Sequence, residues 1–270
     1  MIIKFYNIII ALLFSTIVFA QKGLNFSLII QPSTSFISGS WIVPELKMDS
    51  DHYESPKKFT FGFEAGIKGS YNFNDNIGIN LGLIYSQQGQ KFGDYTYNVT
   101  NITYERKIRL SYLKIPLELN FTLKPDKDIT IISYLGIYYG ILIDYIDETI
   151  RTNNNYENTF ETFTVKNNDI SLISTTNNNP FIVVMSNLSE NIYRNDYGIV
   201  VGTGVQKKIS SSMYLMFMLK FEKGLNDIRN LSSQYLSSGG SPYYSDVKVS
   251  NNTVRKNSIL GLTIGMKKSF

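Results

Sequence analysis

Eight stretches of this chain place an apolar residue at every second position, and that rhythm constrains the fold more than any other feature. Leu24, Phe26, Leu28 and Ile30 alternate with Asn25, Ser27 and Gln31; Phe59, Phe61, Phe63, Ala65, Ile67, Tyr71 and Phe73 alternate with Thr60, Gly62, Glu64, Gly66, Lys68 and Ser70. The pattern recurs with apolar residues at Ile77 to Tyr85, Leu113 to Phe121, Ile129 to Ile141, Tyr197 to Val205, Met213 to Phe221 and Leu260 to Met266. Period two belongs to extended strands, whose successive side chains face opposite sides. The chain is therefore expected to be all-β.

In these strands one face is Leu, Ile and Phe, while the other carries glycine, tyrosine and charge. A soluble barrel would need polar residues on its outer face. The reverse arrangement suits a barrel that faces lipid, and the runs approach the ~10 residues with which a tilted strand crosses a bilayer. The connections alternate too: tight turns at Asn74 to Asn76, Lys124 to Asp128 and Lys207 to Ser212, and longer connections at 32 to 58, 90 to 108, 145 to 195 and 224 to 256. The expected fold is an eight-stranded antiparallel transmembrane up-and-down β-barrel with four long external loops and periplasmic termini. The expected place is the outer membrane of a Gram-negative bacterium.

Both chain ends fit that compartment. Lys4 precedes an apolar run from Ile8 to Phe19, with Val18 and Ala20 at the small-residue positions of a cleavage site. Residues 1–20 thus read as a signal peptide and residues 21–270 as one barrel domain. The last strand ends on Phe270, an aromatic terminus similar to the assembly signal of outer-membrane barrels, which makes the barrel assembly machinery an expected partner beside outer-membrane lipid. Aromatics sit at both strand ends: Phe59, Tyr85, Tyr139, Tyr197 and Phe221 toward the loops, and Tyr71, Phe73, Phe121 and Phe270 toward the turns. Two interfacial girdles are expected.

Cysteine is absent, which removes disulfides, thiolate metal sites and cysteine nucleophiles. A formal charge of +4 decides little, and with no basic stripe interleaved with aromatics no nucleic-acid partner is expected. No cofactor and no metal are expected.

The inward phase carries Glu64, Lys68, Lys114, Glu118, Lys220, Glu222 and Lys267. A lumen ringed by eight strands is only wide enough to be filled by side chains, and buried charges are expensive unless paired. Three acids and four bases are therefore expected to form a cross-strand ionic plug, with inward glycines leaving space for Tyr112, Tyr134, Tyr138 and Tyr214. That makes a general porin the wrong class. Pro116 lacks a ladder donor, so a bulge or a locally missing hydrogen bond is expected there.

The other chemistry-bearing residues read more simply as surface. His52 stands near Asp49, Ser50 and Asp51, the only basis for a lipid-modifying enzyme as an alternative; a loop histidine among charges reads as solvated. Asp144, Asp147 and Glu148 lack the ligand spacing of a calcium loop and read as a solvated rim. Gly202-Thr203-Gly204 has no third glycine and no following helix, so it is not a phosphate loop. Lys22, Lys124, Lys127, Lys207, Lys208, Lys267 and Lys268 crowd the periplasmic side, and polar loops around Trp41, Asn153 to Asn155 and Asn177 to Asn179 are where recognition would occur.

The segment Tyr112-Leu113-Lys114-Ile115-Pro116-Leu117 resembles the Tyr-Leu-x-Ile-Pro-Leu stretch of the PorT-like outer-membrane β-barrel family of Bacteroidota, with Tyr112, Leu113, Ile115, Pro116 and Leu117 as the motif residues. Tyr85-Ser86-Gln87-Gln88-Gly89 is similar to that family's Tyr-Ser-x-x-Gly strand end. The resemblance implies a barrel of the same plan, and for some members a role as accessory to protein secretion. The resulting expectation is a non-enzymatic membrane anchor or binding scaffold, with a cell-envelope protein as candidate partner and a secretion accessory as the alternative.

Overall fold

In the computed structural model, residues 23–38, 56–97, 102–123, 128–153, 159–166, 169–176, 179–184, 195–228 and 255–270 are described. The signal segment 1–20, His52, Trp41, Lys22, Lys124 and Lys127 lie outside them. The elements are β1 (Leu24–Ile37), β2 (Lys57–Lys58), β3 (Thr60–Asn72), β4 (Ile77–Tyr97), β5 (Ile102–Leu123) and β6 (Ile129–Asn153), followed by β7 (Thr159–Lys166), β8 (Asp169–Thr176) and β9 (Asn179–Val184), then β10 (Asn195–Lys208), β11 (Met213–Gly224) and β12 (Asn257–Ser269). There is no helix among the described residues.

Eight of these strands close on themselves: β1 pairs with β3, then β4, β5, β6, β10, β11 and β12 follow, and β12 returns to β1, every pair antiparallel. Stepping straight across the wall from Asn25 leads through Ser70, Asn80, Glu118, Gly136, Val200, Glu222 and Ile259 back to Ser35, ten residues further along β1. At ~3.3 Å per residue and ~4.8 Å between strands, that offset tilts the strands by about 40° and makes a backbone cylinder about 16 Å across. Such a cylinder admits side chains and little else.

The alternation resolves as anticipated. Leu28, Phe61, Leu81, Leu119, Leu135, Ile137 and Leu219 are exposed on the outside, while Gln31, Glu64, Lys114, Glu118 and Lys220 are buried within. An apolar exterior over a polar interior is the surface that hydrocarbon, not water, would cover. All nine girdle aromatics are exposed on the outer face, from Tyr71 at 37% to Phe270 at 62%.

Three expectations about connections need correction. The described part of residues 90–108 is not a loop, because β4 and β5 continue as paired strands from Phe92 to Tyr97 and from Ile102 to Arg106. Residues 145–195 are not one irregular loop either: β6 runs on to Asn153, and β7, β8 and β9 add to it as an antiparallel ribbon beyond the barrel. Strands of 21, 22 and 25 residues in β4, β5 and β6 exceed what a bilayer needs. Thr, Tyr and Ile are β-formers, and the strands leaving the membrane keep pairing, through a register shift between Phe92 and Tyr95, while their facing rule changes. The same correction applies to β1, whose pairing extends through Ser33 to Ile37.

The turn from Asn74 to Asn76 is held by its first residue, whose Oδ1 accepts from the backbone N–H of Asn76 at 2.9 Å and of Ile77 at 2.8 Å. Pro116 behaves as its missing donor requires. Pairs between β4 and β5 stop at Leu81 with Leu117 and resume at Ile84 with Lys114 in unchanged register, so the ladder is interrupted without a bulge. The bulge in β5's other ladder falls at Ser111 and Tyr112, opposite Ile143 of β6.

Candidate functional site: an ion-paired interior

The inner face of β5 profiles the lumen from the turn end upward: Asn120, Glu118, Pro116, Lys114, Tyr112, Leu110, Ile108 and Arg106. Polar, ionic, aromatic and apolar layers follow in that order.

Two separate ionic groups occupy the middle. In the lower one, the Lys68 ammonium donates to both Glu118 carboxylate oxygens, at 2.6 and 2.8 Å. Asn80 donates to the same carboxylate at 3.1 Å, and Asn120 donates to Asn80 at 2.6 Å. The Tyr134 ring lies 4.7 Å from the Lys68 ammonium.

The upper group is a closed ring of four alternating charges. Glu64 accepts from Lys114 at 3.1 Å and from Lys220 at 2.7 Å, Lys220 meets Glu222 at 2.5 Å, and Glu222 returns to Lys114. All four side chains are at most 2% exposed. The ring ties β3, β5 and β11, none of which is a neighbour of another in the wall, so it spans the lumen and does not run along it. Gln31 donates to Glu64 at 2.7 Å and accepts from Thr263 at 2.5 Å, while Gln88 accepts from Lys114 at 3.3 Å. Each ring charge therefore has an opposite partner, which is the condition under which ions tolerate burial.

Glycine supplies the room. A Cβ on Gly202 would lie 2.3 Å from the Tyr134 ring, one on Gly198 would lie 2.6 Å from Tyr138, and one on Gly261 would lie 2.5 Å from the Gln31 amide. In the pattern Gly202-Thr203-Gly204, Gly202 is thus a seat for Tyr134 and Gly204 gives way to Met218 and the Phe217 carbonyl, with Thr203 turned outward to the Ser133 hydroxyl at 2.9 Å.

Lys267, expected within the plug, is placed at its foot. It lines a cavity of about 50 Å³ with Lys68, Tyr134 and Asn120, and also the wider mouth of about 370 Å³ at the turn end, where its ammonium is 6.0 Å from the Tyr214 ring. The reason is register: Lys267 stands opposite Ser27 and Tyr214, near the end of β12, where the lumen opens. Without it the plug consists of three acids and three bases and carries no net charge.

Above the ring the interior turns apolar, a layer the sequence reading missed. Beside Tyr112, which was expected inside, Leu110, Ile108, Ile37, Phe92 and Ile259 are all at most 4% exposed. Tyr138 donates to Asp196 at 3.3 Å, and Asn257 donates to the same carboxylate at 2.8 Å. Higher still, beyond the lipid-facing belt, Arg106 grips Asp147 through two hydrogen bonds, that from Nε at 2.8 Å. Burial works against the Arg106 charge, yet Asp147 outweighs it and holds the guanidinium above its usual range. Burial, and then Asp147, push the Tyr145 phenol upward against the pull of Arg106.

This corrects the reading of Asp144, Asp147 and Glu148 as one solvated rim. Asp147 is 9% exposed and faces inward, while Asp144 and Glu148 occupy the alternate positions of β6. No group of three or more acidic or histidine ligands converges among the described residues.

A family model described as outer membrane protein beta-barrel domain matches residues 19–230 of the chain. Among solved structures, the chain is similar to Neisserial surface protein A at 10% identity and a TM-score of 0.39, covering 92% of this chain and 98% of that one. It is similar to OprG of Pseudomonas aeruginosa at 11% identity and a TM-score of 0.44, covering 93% and 97%, and to the protease OmpT of Escherichia coli at 8% identity and a TM-score of 0.43, with the same coverage. No curated protein matches the chain.

Proposed function

The chain belongs to the outer membrane protein beta-barrel domain family, and from that premise we propose that it serves as a non-enzymatic membrane anchor or binding scaffold, with a filled lumen unlike that of a general porin. The observation that carries this reading is the Glu64, Lys114, Glu222 and Lys220 ring, which crosses the lumen and is capped by the apolar layer of Leu110, Ile108, Ile37 and Phe92. A solute following the axis would have to part both. The termini are periplasmic in this reading, and the upper ends of β4, β5 and β6, with β7 to β9, extend beyond the barrel, where they can present loops to a cell-envelope protein.

Planar-bilayer recording of the purified barrel tests it. No stable single-channel current is expected, and a large, long-lived current would overturn the filled lumen. The motif residues Tyr112, Leu113, Ile115, Pro116 and Leu117 favour a second, PorT-like reading as an accessory barrel of a secretion system. Affinity isolation in mild detergent distinguishes the two, since only an accessory should bring down translocon components.

A further inference from the structure

The outer face of the wall changes character abruptly on β4 and β5. Tyr85 and Leu113 end the apolar surface of these strands, and the next outward positions are Gln87, Gly89 and Lys91 on β4 and Ser111, Arg109 and Lys107 on β5. On β6 the exposed apolar surface ends at Ile143, beside Ser111, so Arg109 clears it by only two residues. Phe59, 59% exposed, marks the same height beside Lys58.

At that level the ladder sets cations abreast. Lys58 on β2 stands opposite Lys91 on β4, and Lys91 stands opposite Lys107 on β5; Arg109 is opposite Gly89, diagonal to Lys91. Opposite residues of an antiparallel pair project from one side of the sheet with Cβ atoms about 5 Å apart, diagonal ones lie within about 8 Å, and like charges so placed repel. Acids border the patch on one margin: Glu148 is opposite Lys107, Asp144 is opposite Ser111, and Glu105 is two residues along from Lys107. Lys91 nevertheless has lysines on both sides. The Arg109 Nε is buried without a hydrogen-bond partner.

The repulsion between Lys91 and Lys107 and the unsatisfied guanidinium nitrogen of Arg109 make this patch suited to an anion. We propose that Lys91, Lys107 and Arg109, flanked by Lys58, bind the phosphate groups of an anionic lipid headgroup in the outer leaflet. The source is lipid because of height: the patch sits on the barrel wall just above hydrocarbon-facing Leu113 and Ile143, where headgroup phosphates lie and where long basic side chains reach back along the wall. Arginine suits a phosphate because its planar fork presents paired N–H donors. The site lies outside the barrel, so it stands whether or not the lumen is shut.

The test uses the full barrel in zwitterionic nanodiscs doped with bis-phosphorylated lipid A or with the same lipid stripped of its phosphates, and counts retained lipid by native mass spectrometry. The phosphorylated lipid is expected to be retained preferentially, and Lys91→Gln with Arg109→Gln should lower its retention by about tenfold or more. Lys207→Gln with Lys208→Gln, which removes two charges at the turn end, should leave it unchanged. Heat-modifiable gel mobility reports folding, and Arg109→Lys alone, which keeps the charge, should fold and bind more weakly than wild type. Equal retention of both lipids, an undiminished Lys91 and Arg109 double variant, or an equal loss in the turn-end control would overturn the proposal. So would displacement of the lipid by millimolar inorganic phosphate, which would make a free anion the ligand.

Discussion

The Tyr134 ring occupies the volume that a side chain at Gly202 would need, a Cβ there lying 2.3 Å from it. The residues face each other across the β6 and β10 ladder as a directly opposed pair. Replacing Gly202 by Val should therefore displace Tyr134 from above Lys68. A loss of about 1–3 kcal/mol is expected from overpacking, read as a lower urea midpoint for barrels in vesicles. Adding Tyr134→Ala should recover part of it, and no recovery would show that the clash lies elsewhere.

Glu64 is the shared acceptor of Lys114 and Lys220, so Glu64→Gln leaves two buried ammonium groups to one carboxylate. A loss of about 3–5 kcal/mol is expected for breaking a buried ion group on one side only. Replacing both members of the lower pair, as in Lys68→Met with Glu118→Leu, should cost far less. Similar unfolding midpoints for the two variants would contradict the ring as drawn.

Tyr145 is pushed above the ordinary phenol range by burial and then by Asp147. The folded site thus keeps the neutral form, and its contribution is complete below about pH 10, the unfolded value, and lost as pH rises through the higher folded value. Hydrogen exchange in β5 and β6 above Arg109 should speed up above that pH in the wild type. With Tyr145→Phe this part of the alkaline response should disappear.

Phe270 is 62% exposed on the outer face, and its N–H donates to the Leu24 carbonyl at 3.1 Å, the last rung of the closing seam. Deleting it removes the aromatic at the membrane boundary and that bond together. The heat-modifiable fraction in isolated outer membranes should fall severalfold, whereas Phe217→Leu, in the middle of an outer face, should leave it near the wild-type level.

The wall was legible because lipid enforces one rule on every spanning residue: Leu117, Leu119 and Phe121 must face out, so Lys114 and Glu118 must face in. Six of the seven predicted interior charges meet in the lumen for that reason. The rule lapses at the membrane edge. On β5, Arg109 and Ser111 face outward while Ile108 and Leu110 face inward, the inverse of Leu113 and Lys114 three residues on. A reading tuned to lipid saw irregular chain where the strand had only exchanged its faces. The position of Lys267 was hidden for a different cause, since alternation gives the side on which a residue lies but not its depth, and depth follows from register. The pairing of Asp147 with Arg106 likewise depends on the shift at Ile143, a single extra residue that no periodicity announces.

The seam that joins β1 to β12 sets Asn25 against Ser269, the two extremities of the described sheet. The other rungs of the cylinder link strands that follow one another in the chain with at most β2 or the β7 to β9 ribbon between them, but this one must wait for Asn257–Ser269 to be synthesised. Until then both margins carry open backbone donors and acceptors. A nascent chain of this kind has no self-sufficient half, and its survival in transit depends on whatever shields those margins before the ends meet.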